Sequence, residues 1–158
     1  MIAEIKKWWF VIDMPKEKTL FDANLARKVA EDYIKEHIDQ YKRVEIVGSL
    51  RRGKPQVHDI DLVAIPIYPQ DKKKIVTTTK EGIQIDMSLA NESTYECIKL
   101  IRTGSTEHNK KLCILAKSKG WQLKANGEGL ITPQGILHGE REILIALVGR
   151  YIEPRDRI

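Results

Sequence analysis

The chain has 158 residues and carries 27 Lys and Arg against 22 Asp and Glu, a net charge of +5. That length allows one good core or two small lobes sharing an interface, and no apolar run is long enough for a signal peptide or a membrane span. The positive charge is local: from Lys99 to Lys124 seven basic residues stand against the single acid Glu107, so this segment carries +6 and the remainder −1, the electrostatic footprint of a nucleic-acid binder.

In chain order, residues 8–12 form a first strand closed by Pro15. Thr19 to Asp22 has the form of a capping box, followed by Phe21, Leu25, Val29 and Tyr33 in one line and Ala26, Ala30, Ile34 and Ile38 in its neighbour. This pattern predicts a long amphipathic helix ending near Tyr41 and packed behind a sheet. Val44 to Val47 alternates as a strand, and Leu62 to Ile65 reads as a second, buried strand. Between them stand Gly48-Ser49-Leu50-Arg51-Arg52-Gly53 and Asp59-Ile60-Asp61. Glycine lets a backbone approach a ligand, successive N–H groups of such a turn suit an anion, and the Ser49 hydroxyl with Arg51 and Arg52 adds donors matched to phosphate oxygens. Asp59 and Asp61, two apart on a strand, point to one face, and two such carboxylates favour a hard cation, Mg²⁺ or Mn²⁺, between them.

Pro66, Pro69 and the lysines 72–74 mark a loop, after which residues 75–79 and 83–89 form a hairpin. Asp86 stands on the polar face of its second strand and supplies a third carboxylate. The triad Asp59, Asp61 and Asp86 is what nucleotidyl transfer on two metal ions needs.

Residues 93–102 form a short helix with Tyr95, Ile98 and Ile101 inward. Thr103-Gly104-Ser105 ends it, and Ser105 or Thr106 caps a second helix with the stripe Leu112, Leu115 and Ala116, stopped at Gly120. Residues 126–139 are glycine-rich and β-like, and 140–150 form a closing helix with Ile143, Leu144, Leu147 and Val148 inward. Cys97 and Cys113 lie in apolar helical contexts and read as buried thiols of a reducing compartment. The expected location is cytoplasmic, or nuclear in a source with a nucleus. His37 is a packing residue, His58 touches a phosphate or completes its turn, and His108 approaches the nucleotide.

Three separate motifs resemble family X DNA polymerases: the Gly48–Gly53 turn with Asp59-Ile60-Asp61; Thr103-Gly104-Ser105 followed by Asn109-Lys110; and Gly120-Trp121 with the ending Tyr151 to Arg157. The resemblance runs from about Ala23 to Arg157. It implies an α+β fold in which residues 1–90 form a nucleotidyltransferase palm, a mixed β-sheet backed by helices, and residues 91–158 a small α/β thumb. It implies Asp59, Asp61 and Asp86 as catalytic metal ligands, with Gly48, Ser49 and Arg52 on the triphosphate, Gly104 and Ser105 under the sugar, and Asn109 at the base edge. Lys110, Lys111, Lys117 and Arg102 are expected on DNA phosphates. The expected partners are deoxynucleoside triphosphates and primer-template or gapped DNA, the cofactor two Mg²⁺ ions with Mn²⁺ as alternative, and the chain acts as a monomer away from membranes.

The departures bear on selectivity. Ile101-Arg102 stands where the family usually has an aromatic pair against the sugar, which puts ribose exclusion in doubt. Cys113 replaces a frequent arginine and Thr106 a frequent acid. About fifty residues before the glycine turn are too few for the lyase and helix-hairpin-helix lobes of larger members. The expected reaction is template-directed DNA synthesis in gap filling. A template-independent nucleotidyltransferase and a non-enzymatic basic binding module are the alternatives.

Overall fold

The computed structural model describes residues 18–158; the strand expected over 8–12 lies outside the described residues. The elements are β1 (Phe21–Asp22), α1 (Ala23–His37), β2 (Tyr41–Val47), α2 (Gly48–Arg51), β3 (Gln56–Val57), β4 (Asp59–Pro66), β5 (Lys74–Thr78) and β6 (Gln84–Leu89). They continue with α3 (Tyr95–Thr103), α4 (Thr106–Ser118), β7 (Gln122–Lys124), β8 (Gly129–Thr132), β9 (Gly135–Leu137) and α5 (Glu140–Val148). The fold is α+β, as expected, with one mixed sheet and smaller antiparallel ones.

The start of α1 differs from the expected capping box. Asp22 is the cap, accepting from the N–H groups of Asn24 at 3.0 Å and Leu25 at 3.2 Å, and so satisfies two of the helix's free donors. Phe21 and Asp22 instead pair with Val57 and Gln56 as a short antiparallel ribbon. The helix stops at His37, not near Tyr41; His37 Nδ1 is 2.8 Å from the Tyr33 carbonyl and its ring stacks on Tyr33. A 3₁₀ turn over Ile38–Gln40 follows, and Tyr41, buried in the core, opens β2. Of the two expected apolar lines, Ala26, Val29 and Ala30 are buried, whereas Leu25 and Ile38 are about half exposed. Small residues at 26 and 30 let the helix lie close on the sheet, which leaves the flanking large ones at its edges.

The sheet order is β2-β4-β6-β5, with β4 and β6 parallel and the other pairs antiparallel. Because side chains alternate across a strand, Ile60, Leu62 and Ala64 of β4 and Ile85, Met87 and Leu89 of β6 face α1 and form the main core. The opposite face carries Val63 and Ile65, which bury with Val47 against Tyr95 of α3. The middle of β4 is thus covered on both sides, the reason for its uninterrupted apolar run. On that second face, α3 packs on Val63 and Ile65, and Asp59 and Asp61 stand at the strand's beginning, ahead of the covered stretch.

The carboxy-terminal elements have their own core, in which Leu100, Leu112, Leu130, Ile143 and Leu144 are fully buried. Of the α3 residues expected inward, Tyr95 is buried and Ile98 and Ile101 are partly buried, while Cys97 and Leu100 fill this core; on α4 Leu115 and Cys113 are exposed, so Cys113 is not the buried thiol the sequence suggested.

A buried ionic cluster joins the two halves. Glu140, at the start of α5, accepts two 2.7 Å hydrogen bonds from the Arg51 guanidinium and one of 3.1 Å from Arg157. Arg157 is fully buried and also donates to the Ile152 carbonyl at 3.0 Å. Burial alone would raise the Glu140 carboxyl, but the two arginines hold it below the ordinary carboxylate range. Glu140→Ala is expected to cost about 3–5 kcal/mol, because two guanidinium charges would lose their partner out of water. Urea unfolding of the variant checks this, and a loss below 1 kcal/mol would mean the cluster is not holding the halves together.

Candidate active site

Val47 ends β2 with its Cα opposite Asp61 of β4, and the chain then turns into α2 through Gly48, whose φ is +66°. A Cβ at Gly48 would run into the Asp61 carboxylate. Glycine is therefore required here by the aspartate that lies against it as well as by the left-handed backbone. The Arg52 N–H closes the turn on the Gly48 carbonyl at 3.1 Å.

The three carboxylates share one face. Asp59 and Asp61 are two apart on β4, and the parallel register sets Asp61 beside Asp86 of β6. Asp86 is buried, and Gln84 Nε2 donates to its Oδ1 at 2.9 Å. Each carboxylate has a basic neighbour: Lys18 lies 3.5 Å from Asp59, Arg102 3.7 Å from Asp61 and Lys74 3.6 Å from Asp86. Burial raises the Asp61 carboxyl above its ordinary range, and Asp86 and Asp59 push it the same way against the attraction of Arg102. Mutual repulsion among hard oxygen donors on one face is the chemistry a divalent cation relieves. As the side chains stand, no three His, Cys, Asp or Glu among the described residues are drawn round a single ion position.

Beside the triad lies a cavity of about 310 Å³ that brings Gly48, Ser49, Arg52 and Asp61 together with Gly104 and Asn109. The sheet's turn supplies one wall and the α3–α4 corner the other. Arg52 donates to the Thr103 carbonyl at 2.6 Å, while its Nε is buried without a partner. Asn109 donates through Nδ2 to the Ile101 carbonyl at 2.8 Å, and its Oδ1 is likewise buried and unpartnered. Buried polar atoms are normally satisfied, so these two, on residues that line the cavity, stand out. Gly104, with φ of +71°, lies where a Cβ would sit 3.0 Å from Arg52. The Gly104–Ser105 peptide is cis.

Other residues take positions the sequence did not convey. Ser105 does not line the cavity; its Oγ caps α4 by accepting from the His108 N–H at 3.2 Å. Arg51, read as a phosphate donor, is committed to Glu140 and to Thr103 Oγ1 at 2.7 Å. Lys99 reaches 3.0 Å from Glu45 on β2, so the basic stretch is not one external face. Lys110, Lys111 and Lys117 are exposed on α4; Lys110 lies 3.3 Å from Glu107, and Lys111 donates to the Ile158 carbonyl at 3.0 Å. His108 does not line the cavity: it is buried with both ring nitrogens unpartnered. The contacts by which Glu140, Arg157 and Thr103 fix this corner escaped sequence reading because Glu140 is 89 residues from its partner Arg51 and no local pattern marks such a pair.

Among known families, the model of the DNA polymerase beta thumb matches residues 99–158. That span begins within α3 and takes in the α3–α4 corner, the three-stranded sheet, α5 and the tail. No curated protein matches the chain. No helix of the described residues is long and apolar enough to cross a membrane.

Two outcomes follow from this geometry. Gly104→Ala is expected to cost about 1–2 kcal/mol through its left-handed backbone and to displace Arg52, so thermal melting should register it. Burial, with Arg157 and Lys111 nearby, lowers His108 to about 4, against about 6.5 for an unfolded histidine. The unfolded chain then takes up a proton first as pH falls, so this contribution is lost between about pH 6.5 and 4 and is constant below. His108→Gln should flatten that part of the stability profile; an unchanged slope in the variant would assign it to other groups.

Proposed function

We propose, from the match of its residues 99–158 to the DNA polymerase beta thumb and the carboxylates that precede them, that this chain is a DNA polymerase that adds deoxynucleotides to a primer 3′-hydroxyl, directed by a template, in short gaps. The observation that carries the reading is the shared face of Asp59, Asp61 and Asp86 beside a cavity whose walls come from both the Gly-Ser turn and the α3–α4 corner. In this reading residues 1–90 act as the palm and 91–158 as the thumb.

The three aspartates would hold two Mg²⁺ ions, or Mn²⁺, and bound there the ions supply acidity to the 3′-hydroxyl and neutralise the departing pyrophosphate. The chain's own groups do the rest. Arg52 and Ser49, with the backbone of the Gly48 turn, bind the triphosphate, and the buried Arg52 Nε gives this grip a donor with no competing partner. Gly104 leaves room for the sugar, and Ser105 supports it indirectly by capping the helix that carries Asn109. Asn109 Oδ1 accepts from the base edge. Asp86, held by Gln84, lies beside Asp61 where it can take the hydroxyl proton. Lys110, Lys111 and Lys117 on the outer face of α4 meet DNA phosphates, which position the duplex without reading its sequence.

Primer extension on a one-nucleotide gap with Mg²⁺, offering each deoxynucleotide and ribonucleotide in turn, tests this reading. Extension by the templated nucleotide alone is expected, with Asp61→Asn and Asp86→Ala each lowering the rate about a hundredfold or more. Equal extension of a single-stranded primer would make the protein a terminal transferase. Full binding of DNA with no extension in any condition would leave a basic binding module.

A further inference from the structure

Arg102 differs from the other two cations of the site in coming from the carboxy-terminal helices. It stands in the last turn of α3 with its NH2 3.7 Å from Asp61 Oδ1 and its side chain 38 % exposed. Lys18 and Lys74 come from the amino-terminal half and face Asp59 and Asp86. Asp61 is the middle carboxylate, with Asp59 on its own strand and Asp86 across the parallel register. A cation beside it relieves two repulsions at once.

Arg102 also borders two cavities. One is the 310 Å³ space that holds Asp61 and Arg52; the other, of about 630 Å³, is bounded by Ser88 of β6, by Asn91 and by Asn126. The guanidinium therefore has somewhere to go when it leaves Asp61, and the second space offers hydroxyl and amide oxygens to receive its N–H groups.

We propose that Arg102 is a resident counter-ion for the metal site: it holds Asp61 while no divalent cation is bound, and a cation entering among the aspartates must displace it toward the second cavity. The two positive charges repel each other across Asp61, so occupancy by one weakens the hold of the other. Arg102 is in this sense a positioning residue, acting through Asp61. A merely structural Arg102 would make every substitution weaken the site, whereas a competitor makes its removal strengthen cation binding.

The inference rests on the reading of the aspartates as metal ligands, and the test separates the two. Mn²⁺ binding to the full chain without nucleotide or DNA is measured by the loss of the free-ion signal in electron paramagnetic resonance, with circular dichroism showing that each variant is folded. Arg102→Ala is expected to bind Mn²⁺ roughly fivefold more tightly, the size of a half-exposed ion pair removed. Arg102→Gln, closer in shape, should do the same, and Arg102→Lys should stay near the original affinity. Equal or weaker binding in both neutral variants overturns the competition while leaving the metal site standing. Binding that is unchanged in Asp61→Asn overturns the metal site itself, and the competition with it.

Discussion

The structure depends on one buried carboxylate. Glu140 receives Arg51 from the turn after β2 and Arg157 from the tail, so a single acid ties the sheet, α5 and the last residues together. Removing either guanidinium from water is costly, and two are tolerated because each meets the same carboxylate at hydrogen-bond distance. Arg51 extends the cluster to Thr103 Oγ1, and Thr103 in turn gives its hydroxyl to the Lys99 carbonyl at 2.6 Å and receives Arg52 on its own carbonyl. The position of Arg52 in the cavity is therefore set by a chain of polar contacts that begins at Glu140. Neighbouring arginines in sequence take opposite places: Arg51 joins Glu140 and Arg52 lines the cavity.

The second constraint is which part of the sheet is covered. Packing of α3 on Val63 and Ile65, and of α1 on Ile60 and Leu62, buries the centre of β4 from both sides. At the beginning of the same strand, Asp59 and Asp61 keep partial exposure. Three carboxylates could not sit together in the covered region, where repulsion would be undiluted by solvent. At the strand's beginning Asp59 and Asp61 share a face with Asp86 of β6.

Much of this was legible in the sequence, for definite reasons. The period-2 alternation of residues 83–89 gives the face of Asp86, and the Asp59-Ile60-Asp61 spacing gives the face of its partners. Their adjacency needed the parallel pairing of β4 with β6, which a hairpin reading of the next strands does not contain. Gly48 was marked as a place for a ligand's close approach, and the group that a Cβ there would meet is the Asp61 carboxylate. The end of α1 was misjudged because Ile38 and Tyr41 continue a helical apolar pattern, whereas a 3₁₀ turn diverts the chain and buries Tyr41 in the sheet. The pairing of Glu140 with Arg157 was invisible, and His108 was placed toward the nucleotide instead of in the interior, because burial of a polar side chain is decided by residues far away in sequence.

The basic residues between Lys99 and Lys124 are divided by the fold in a way their count conceals. Lys99 and Arg102 point back to acids of the sheet, Glu45 and Asp61, and Lys119 lies over the Trp121 ring. Lys110, Lys111 and Lys117 remain on the outer face of α4. Charges of the first kind are short-range and partly shielded from salt, while those of the second are open to counterions. Three lysines on one helix face make a small patch, since each charge that a polyanion neutralises contributes separately to the salt dependence.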